Sequence, residues 1–315
     1  MRIMAPIEVC TRVELVNSTP REKMKNVNAT ATIDLRGGFA NQLFQWSIAR
    51  YLIHMCHCSV IFDARAVGRP GSPGDQLTGT GLSVRVRKQT RISSSMWRIV
   101  FRIFPASIAV HLSEFLRPGR LGRATRRPLE ALDRLKLGEN VVLGGYLQDP
   151  ELISSIREVL AVEFRGVMKK YSAPQVGYAA VHVRRGDYVN NKTIFSKFGV
   201  PDLDYYVRAI EAVGCERLLI VTDDAAWCRD FLQPALPPNI SSEVCSNADH
   251  LIDFSILLNA NSLVLSNSTF SWWAAFMGDQ SQVIIPAPWL TKEDHPEFYL
   301  PGWQVRDRST GKVVE

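Results

Sequence analysis

The 315-residue sequence lacks features that mark several large classes of protein. It has no apolar stretch of about 18 residues, so no membrane-spanning helix is predicted. Its N-terminal residues contain no continuous apolar run of the kind that secretion signals carry, and we expect a cytoplasmic protein. The six cysteines are scattered and include no C-x-x-C pair, which argues against a structural zinc site and predicts reduced thiols.

Acidic residues are scarce in one segment of the chain. The net charge is +6, and thirteen lysines and arginines face only three acids between Arg85 and Lys136. Segment 84–136 therefore holds the whole positive excess. A solvated basic face and a surface that docks on anionic lipid at the inner face of a membrane both fit this segment. Aromatic residues are thin there and no RNA-binding signature appears, so nucleic acid is not predicted as a partner.

The rest of the chain alternates between apolar runs of strand length and stretches with helical spacing. This alternation predicts βαβ units and an α/β fold with doubly wound, parallel sheets. We predict a loose N-terminal tail at 1–30, an N-terminal α/β domain at 31–172 and a C-terminal Rossmann-like domain at 173–315. The basic segment belongs to the N-terminal domain.

Polar clusters follow three predicted strands of the second half. They are RRGD at 184–187, DD at 223–224 and NST at 267–269. In a doubly wound sheet, ligands bind in the crevice outside the carboxyl ends of the strands. The three clusters are therefore expected to converge on one site.

The chemistry of the clusters suits a phosphate-bearing ligand, although each residue also has a structural interpretation. Arginine forks match phosphate oxygens, and a helix N-terminus after residue 267 favours an anion. Ser268 and Thr269 can instead cap that helix. Asp223 and Asp224 can bind ribose, base or metal, or one of them can cap a helix. His182 is typical of a hydrogen-bonded core residue as much as of a catalyst.

A glycine-bearing loop joins a strand to a helix in the first half. It reads RGGFANQ at 36–42 and lacks the third glycine of the dinucleotide fingerprint G-x-G-x-x-G. Gly37 and Gly38 allow a ligand to approach the backbone closely. Asn41 and Gln42 can hydrogen-bond that ligand or cap the helix.

Taken together and in order, these motifs resemble those of the α-1,2-fucosyltransferases of glycosyltransferase family 11. The resemblance rests on GGFANQLFQWSIA at 37–49, HVRRGD at 182–187, TDD at 222–224 and NSTFSWW at 267–273. Weaker matches occur at 145–153, 202–206 and 286–290, so the likeness runs from about residue 31 to about residue 303. One departure is Ala40, which stands where the family usually has glycine, so the backbone there must avoid left-handed φ.

The resemblance implies a GT-B-like fold, in which two Rossmann-like domains face a cleft. It implies an inverting transfer of L-fucose from GDP-β-L-fucose, as co-substrate, to a galactose hydroxyl, the 2-OH, of a glycan acceptor. No metal or other cofactor is implied. The acceptor can be lipid-linked, in cell-surface polysaccharide synthesis. Another nucleotide-sugar transferase on the same scaffold is the alternative, and a non-enzymatic binder of membrane or RNA is the second.

The resemblance also implies residue roles. Arg184 holds the departing β-phosphate, Arg185 aids phosphate binding, and His182 and Asp187 shape the motif and are candidate bases. Trp272 and Trp273 are expected to pack in the core. The implied donor contacts come from both domains and include Gly38, Asn41, Gln42, Asp223, Asp224, Asn267, Ser268, Thr269 and Phe270.

Overall fold

The computed structural model describes residues 29–64, 75–82, 84–87, 123–171, 177–245, 247 and 249–314. The predicted tail at 1–30 lies almost wholly outside the described residues, and so do residues 88–122 of the basic segment. Among the described residues, no helix is both long and apolar enough to cross a membrane.

The first half of the chain forms a five-stranded parallel sheet in the order β3-β2-β1-β5-β4. Its central strand pairs in register over its whole length with the second strand, from Thr30 opposite Ser59 to Asp34 opposite Asp63. The strands are β1 (Thr30–Asp34), β2 (Ser59–Asp63), β3 (Val86–Arg87), β4 (Arg123–Thr125) and β5 (Val141–Leu143).

The second half forms a six-stranded sheet, also parallel throughout, in the order β11-β10-β9-β6-β7-β8. This is the strand order of dinucleotide-binding folds, and it reverses between β6 and β9. The strands are β6 (Ala179–Val183), β7 (Arg217–Thr222), β8 (Ser241–Cys245), β9 (Ser262–Val264), β10 (Gln282–Ala287) and β11 (Gln304–Asp307). All five residues of β6 are buried, as expected for a central strand covered on both faces.

Helices connect the strands, as the alternating sequence pattern predicts. In α7 the buried residues Tyr205, Tyr206, Ala209 and Ile210 recur at helical spacing and face the sheet. The helices are α1 (Phe39–Cys56), α2 (Pro128–Lys136), α3 (Pro150–Ser154), α4 (Arg157–Met168), α5 (Gly186–Asn190), α6 (Lys192–Phe198), α7 (Leu203–Val213), α8 (Ala225–Trp227, Cys228–Leu232 and Gln233–Ala235 in succession), α9 (His250–Leu258) and α10 (Thr269–Met277).

Helix α10 joins the two halves through a shared aromatic core. Trp272 and Trp273 are fully buried, which confirms that they pack rather than face a ligand. Phe44 of α1 stacks on Trp272 with ring centroids 5.2 Å apart. Arg157 Nε donates to the carbonyl of Phe276 at 2.7 Å and so closes the C-terminal end of α10. The N-terminus of α10 is thereby held at a fixed place beside both sheets.

Residues 151–164 read as one helix in the sequence, but the structure divides this stretch between two helices, α3 and α4. Asp149 caps α3 by accepting a hydrogen bond from the backbone N–H of Leu152 at 3.0 Å. Ile156 then leaves the helical region with φ −123° and ψ 18°, so α4 starts only at Arg157. The predicted domain division at 172/173 stays a prediction.

Candidate active site

One pocket opens between the two sheets at the carboxyl ends of their strands. It encloses about 580 Å³, within the usual range for small-molecule sites. On the C-terminal side it lies at the reversal between β6 and β9, where doubly wound sheets bind their ligands. The residues predicted from sequence that line it come from both halves: Gly38, Asn41, His182, Arg184, Asp187, Asp223, Ser268, Thr269 and Phe270.

The guanidinium of Arg184 is fixed on three sides and still faces the pocket. Its Nη1 lies 2.9 Å from Asp223 Oδ2, and its Nη2 lies 2.6 Å from Asp187 Oδ1. Its central carbon lies 5.6 Å from the ring centroid of Tyr188. The side chain is 35% exposed. An arginine has five N–H donors, so two ion pairs leave donors for an anionic ligand.

Asp223 shapes the turn that carries Arg184. Its Oδ1 accepts hydrogen bonds from the backbone N–H groups of Arg185, at 2.8 Å, and Gly186, at 3.1 Å. A Cβ at position 186 would lie 2.7 Å from Asp223 Oδ2, which explains the glycine in RRGD. Asp223 therefore holds both the backbone of the turn and the guanidinium that the turn presents.

The structure does not bring Arg185 or Asp224 into the pocket lining. Arg185 Nε lies 3.2 Å from Asp224 Oδ2, and its guanidinium covers the ring of Trp227 at 4.2 Å. Asp224 Oδ1 accepts from the backbone N–H of Trp227 at 3.1 Å and so caps α8. The helix-capping interpretation thus applies to Asp224, and the pair supports the motif from behind.

His182 is buried beneath the pocket and is neutral at ordinary pH. Its Nδ1 lies 2.8 Å from Ser266 Oγ, and its ring lies 5.5 Å from that of Phe270. Burial, reinforced by the positive charge of Arg184, lowers the pKa of His182 to about 3. A neutral imidazole of such low basicity is a weak proton acceptor.

The N-terminus of α10 forms part of the pocket wall. Ser268 Oγ accepts from the backbone N–H of Phe270 at 3.3 Å, and Ser268, Thr269 and Phe270 line the pocket. Helix dipole and free N–H groups favour an anion at this end. Asn267 differs, because its side chain is buried and its Nδ2 donates to the carbonyl of Phe198 at 2.8 Å. Asn267 therefore fixes the end of α6 and is not among the described residues that line the pocket.

The glycine loop after β1 places one polar side chain at the pocket and one behind it. Asn41 lines the pocket, whereas Gln42 is fully buried and its Nε2 donates to the carbonyl of Gly37 at 2.8 Å. Gly37 carries the left-handed backbone, with φ 72°. Ala40 lies inside α1 without positive φ, as its side chain requires.

Sequence reasoning missed several lining residues, most of which fall in two groups. Asn247, His250 and Asp253 lie around the start of α9, and Asn247 Nδ2 donates to Asp253 Oδ1 at 2.6 Å. Desolvation raises the pKa of Asp253. The second group, Tyr188, Ile194 and Phe198, comes from α5 and α6. A polar residue after β8 was the available signal for the first group, but that strand was itself not predicted.

The part of the chain that the structure describes contains no cluster of side chains that could bind a metal ion. No three His, Cys, Asp or Glu side chains there are grouped so that they could hold an ion. In the pocket, Arg184 is positively charged and the N-terminus of α10 has a partial positive charge, and both can neutralise the negative charge of a bound diphosphate.

The chain is similar in sequence to known glycosyltransferases. The family model described as Glycosyl transferase family 11 matches residues 131–306, more than half of the chain. The chain belongs to this family. It is 27% identical over 191 residues to the O-antigen biosynthesis glycosyltransferase WbnK of Escherichia coli, covering 54% of this chain and 62% of that protein.

Some relatives from rodents match over more of the chain. The mouse galactoside alpha-(1,2)-fucosyltransferase 2 is 24% identical over 274 residues, which cover 77% of each protein. Several other curated relatives are matched over only about half of their own length.

Among solved structures, POFUT1 in complex with GDP-fucose aligns with a TM-score of 0.42 at 14% identity, covering 82% of this chain and 96% of that one. In the present structure, the two parallel sheets that face one pocket confirm the expected α/β, GT-B-like architecture.

Proposed function

We propose that this protein transfers L-fucose from GDP-β-L-fucose to a galactose hydroxyl of a glycan, with inversion and without a metal ion. The observation that carries the proposal is the pairing of Arg184 with the N-terminus of α10 across one pocket at the strand reversal. Family membership and the similarity to the mouse galactoside fucosyltransferase support the sugar and the acceptor.

The donor's diphosphate fits between these two cationic groups. The free N–H donors of Arg184 face the β-phosphate, and the backbone N–H of Thr269, in the first turn of α10, faces the same anion. Preorganised donors of this kind stabilise charge that develops on a leaving group. They supply the neutralisation that a divalent ion supplies in other transferases, so the reaction needs no metal.

The polar group at α9 suits the base of the nucleotide. Asp253 lines the pocket, its Oδ1 is held by Asn247, and it offers carboxylate oxygens to donors. Guanine presents two adjacent donors, N1–H and the N2 amino group, which a single carboxylate can accept. We therefore place guanine at Asp253 and the fucose near Arg184 and Asn41.

The transfer forms one bond and breaks one. The acceptor oxygen attacks fucose C1 from the face opposite the diphosphate, the C1–O bond to the β-phosphate breaks, and GDP leaves with both electrons. The acceptor's proton passes to a base. Asp187 lines the pocket and its side chain is half exposed, whereas His182 is buried with a pKa of about 3, so we assign Asp187 as the base.

The partner surface is proposed from charge alone. Segment 84–136 carries a net charge of +10 in the sequence. We infer peripheral contact with the inner face of a membrane through this segment and a lipid-linked acceptor. Co-sedimentation with anionic liposomes at low and high salt tests it, and binding that is absent at low salt contradicts it.

A GDP-release assay tests the function as a whole. The donors are GDP-fucose, GDP-mannose and UDP-sugars, each with a panel of galactosides, and the linkage of the product is determined by NMR. We expect release with GDP-fucose, an α-linked product on the galactose 2-OH, and activity that survives EDTA. Preference for another nucleotide sugar contradicts the donor assignment.

A further inference from the structure

The N-terminal sheet has a strand reversal of its own, at the carboxyl ends of its central strands. Its strand order reverses between β1 and β5, which are hydrogen-bonded neighbours. The segments that leave these two strands are the glycine loop and residues 144–149. By the rule that places ligands at such reversals, this edge is a candidate binding site distinct from the diphosphate wall.

An exposed aromatic ring occupies this edge. Tyr146 is 50% exposed, whereas the next residue, Leu147, is only 7% exposed. Gln148 is again exposed. Gly145 has φ 96°, which glycine adopts freely, but Leu147 has φ 55°, a left-handed conformation that leucine rarely adopts and that costs free energy. The loop thus buries Leu147 and presents Tyr146 and Gln148 side by side.

The ring and the amide are coupled to the donor pocket. Gln148 Nε2 donates to Asn41 Oδ1 at 2.9 Å, and Asn41 lines that pocket. A Cβ on Gly37 would lie 2.9 Å from Tyr146 Cε1, so the glycine loop packs against the ring. The buried Gln45 fixes both loops: its Nε2 donates to Gly145 O at 2.9 Å, and its Oε1 accepts from the Arg36 N–H at 3.1 Å.

We propose that Tyr146 and Gln148 form the acceptor subsite, which takes a terminal β-galactoside; this assignment rests on the proposed function. The C–H groups at C3, C4 and C5 of galactopyranose point to one face and make an apolar patch that fits an exposed ring. The side-chain amide of Gln148 can form hydrogen bonds with the hydroxyl groups of the sugar ring. Because Asn41 is shared with the donor pocket, a galactoside on Tyr146 lies beside the fucose.

Steady-state kinetics with methyl β-D-galactopyranoside as acceptor test the subsite. Y146A should raise the acceptor KM about 5- to 10-fold, the loss expected for one aromatic contact, and Y146F should stay within about twofold of wild type. The KM for GDP-fucose should not change in either variant. The matched control is L137A. Leu137 is 78% exposed and precedes β5, so it lies at the amino ends of the strands, away from the proposed subsite.

The outcomes separate the subsite from the proposed function. An unchanged acceptor KM in folded Y146A, checked by its melting temperature, overturns the subsite. A raised KM for GDP-fucose with an unchanged acceptor KM also overturns it, since the ring then belongs to the donor. If wild type releases no GDP, the proposed function has failed. Saturation-transfer NMR with the same galactoside then decides: transfer lost in Y146A supports the subsite, and no transfer in wild type overturns it.

Discussion

Replacing Asp223 tests whether the position of the Arg184 side chain matters for activity, because the arginine itself is kept. In Asp223→Asn, the remaining Oδ1 can still accept from the backbone N–H groups of Arg185 and Gly186. The amide nitrogen, however, then faces Arg184 Nη1 at the position of Oδ2, 2.9 Å away, where two donors meet. The variant keeps the turn and removes the contact that orients the fork.

The size of the effect follows from the exposure of the pair. A hydrogen bond to a charged group contributes about 1.5–3 kcal/mol when buried, and an exposed ion pair contributes at most about 1 kcal/mol. The side chains of Arg184 and Asp223 are 35% and 27% exposed, between these limits. We therefore expect a loss of about 1–2 kcal/mol of transition-state stabilisation, or roughly 5- to 30-fold in kcat.

Asp224→Asn is the matched control for this prediction. It removes one charge at the adjacent position, and asparagine can still cap α8 through its carbonyl oxygen. Its partner Arg185 packs on Trp227 away from the pocket, so kcat should stay within about twofold of wild type. GDP release from GDP-fucose at saturating acceptor measures both variants. Equal losses in the two refute the reasoning that Asp223 acts through Arg184.

Two further predictions concern the residues behind the site. The pKa of His182 is about 3 in the folded chain and about 6.5 when unfolded, so stability from this group is full above about pH 6.5 and falls as the pH drops toward 3. His182→Gln should flatten the acid limb of a urea-unfolding series by up to about 1.4 kcal/mol per pH unit, and an unchanged slope contradicts the burial argument. Gly37→Ala forces a side chain onto φ 72° and within 2.7 Å of Asn41 Nδ2, whereas Gly38→Ala meets no atom within 4 Å. We expect a loss of about 1–3 kcal/mol for the first and of less than about 0.5 kcal/mol for the second in thermal unfolding, and equal losses contradict it.

Much of the fold could be predicted because its elements carry local signals. Helix α7 and strand β7 lie at 203–213 and 217–222, as the sequence pattern predicts, since a buried face at helical spacing ends at Gly214 before an apolar run. Strand β8, with the sequence SSEVC, was missed because it is the edge of the sheet and none of its residues is buried. Helices α5 and α6 bury no side chain either, so they leave no apolar period to detect.

The site was predictable to the level of converging clusters but not to the level of individual side chains. Strand ends that carry polar residues meet in a parallel sheet whatever the loops do, and the three clusters do meet. Which arginine faces the pocket depends on Asp223, distant along the chain, which bonds Arg184 and leaves Arg185 to Trp227. Asn267 likewise has a sequence that suggests an anion site, yet tertiary contacts direct its amide to the carbonyl of Phe198.

The central claim is that the Arg184 fork stabilises the departing diphosphate. GDP release from GDP-fucose by Arg184→Ala and Arg184→Lys tests it most directly, with GDP affinity measured by calorimetry on the same samples. We predict that kcat falls by about 100-fold or more in the first variant, and that lysine restores little because it lacks the bidentate geometry. Turnover within about threefold of wild type in a folded Arg184→Ala variant contradicts the account.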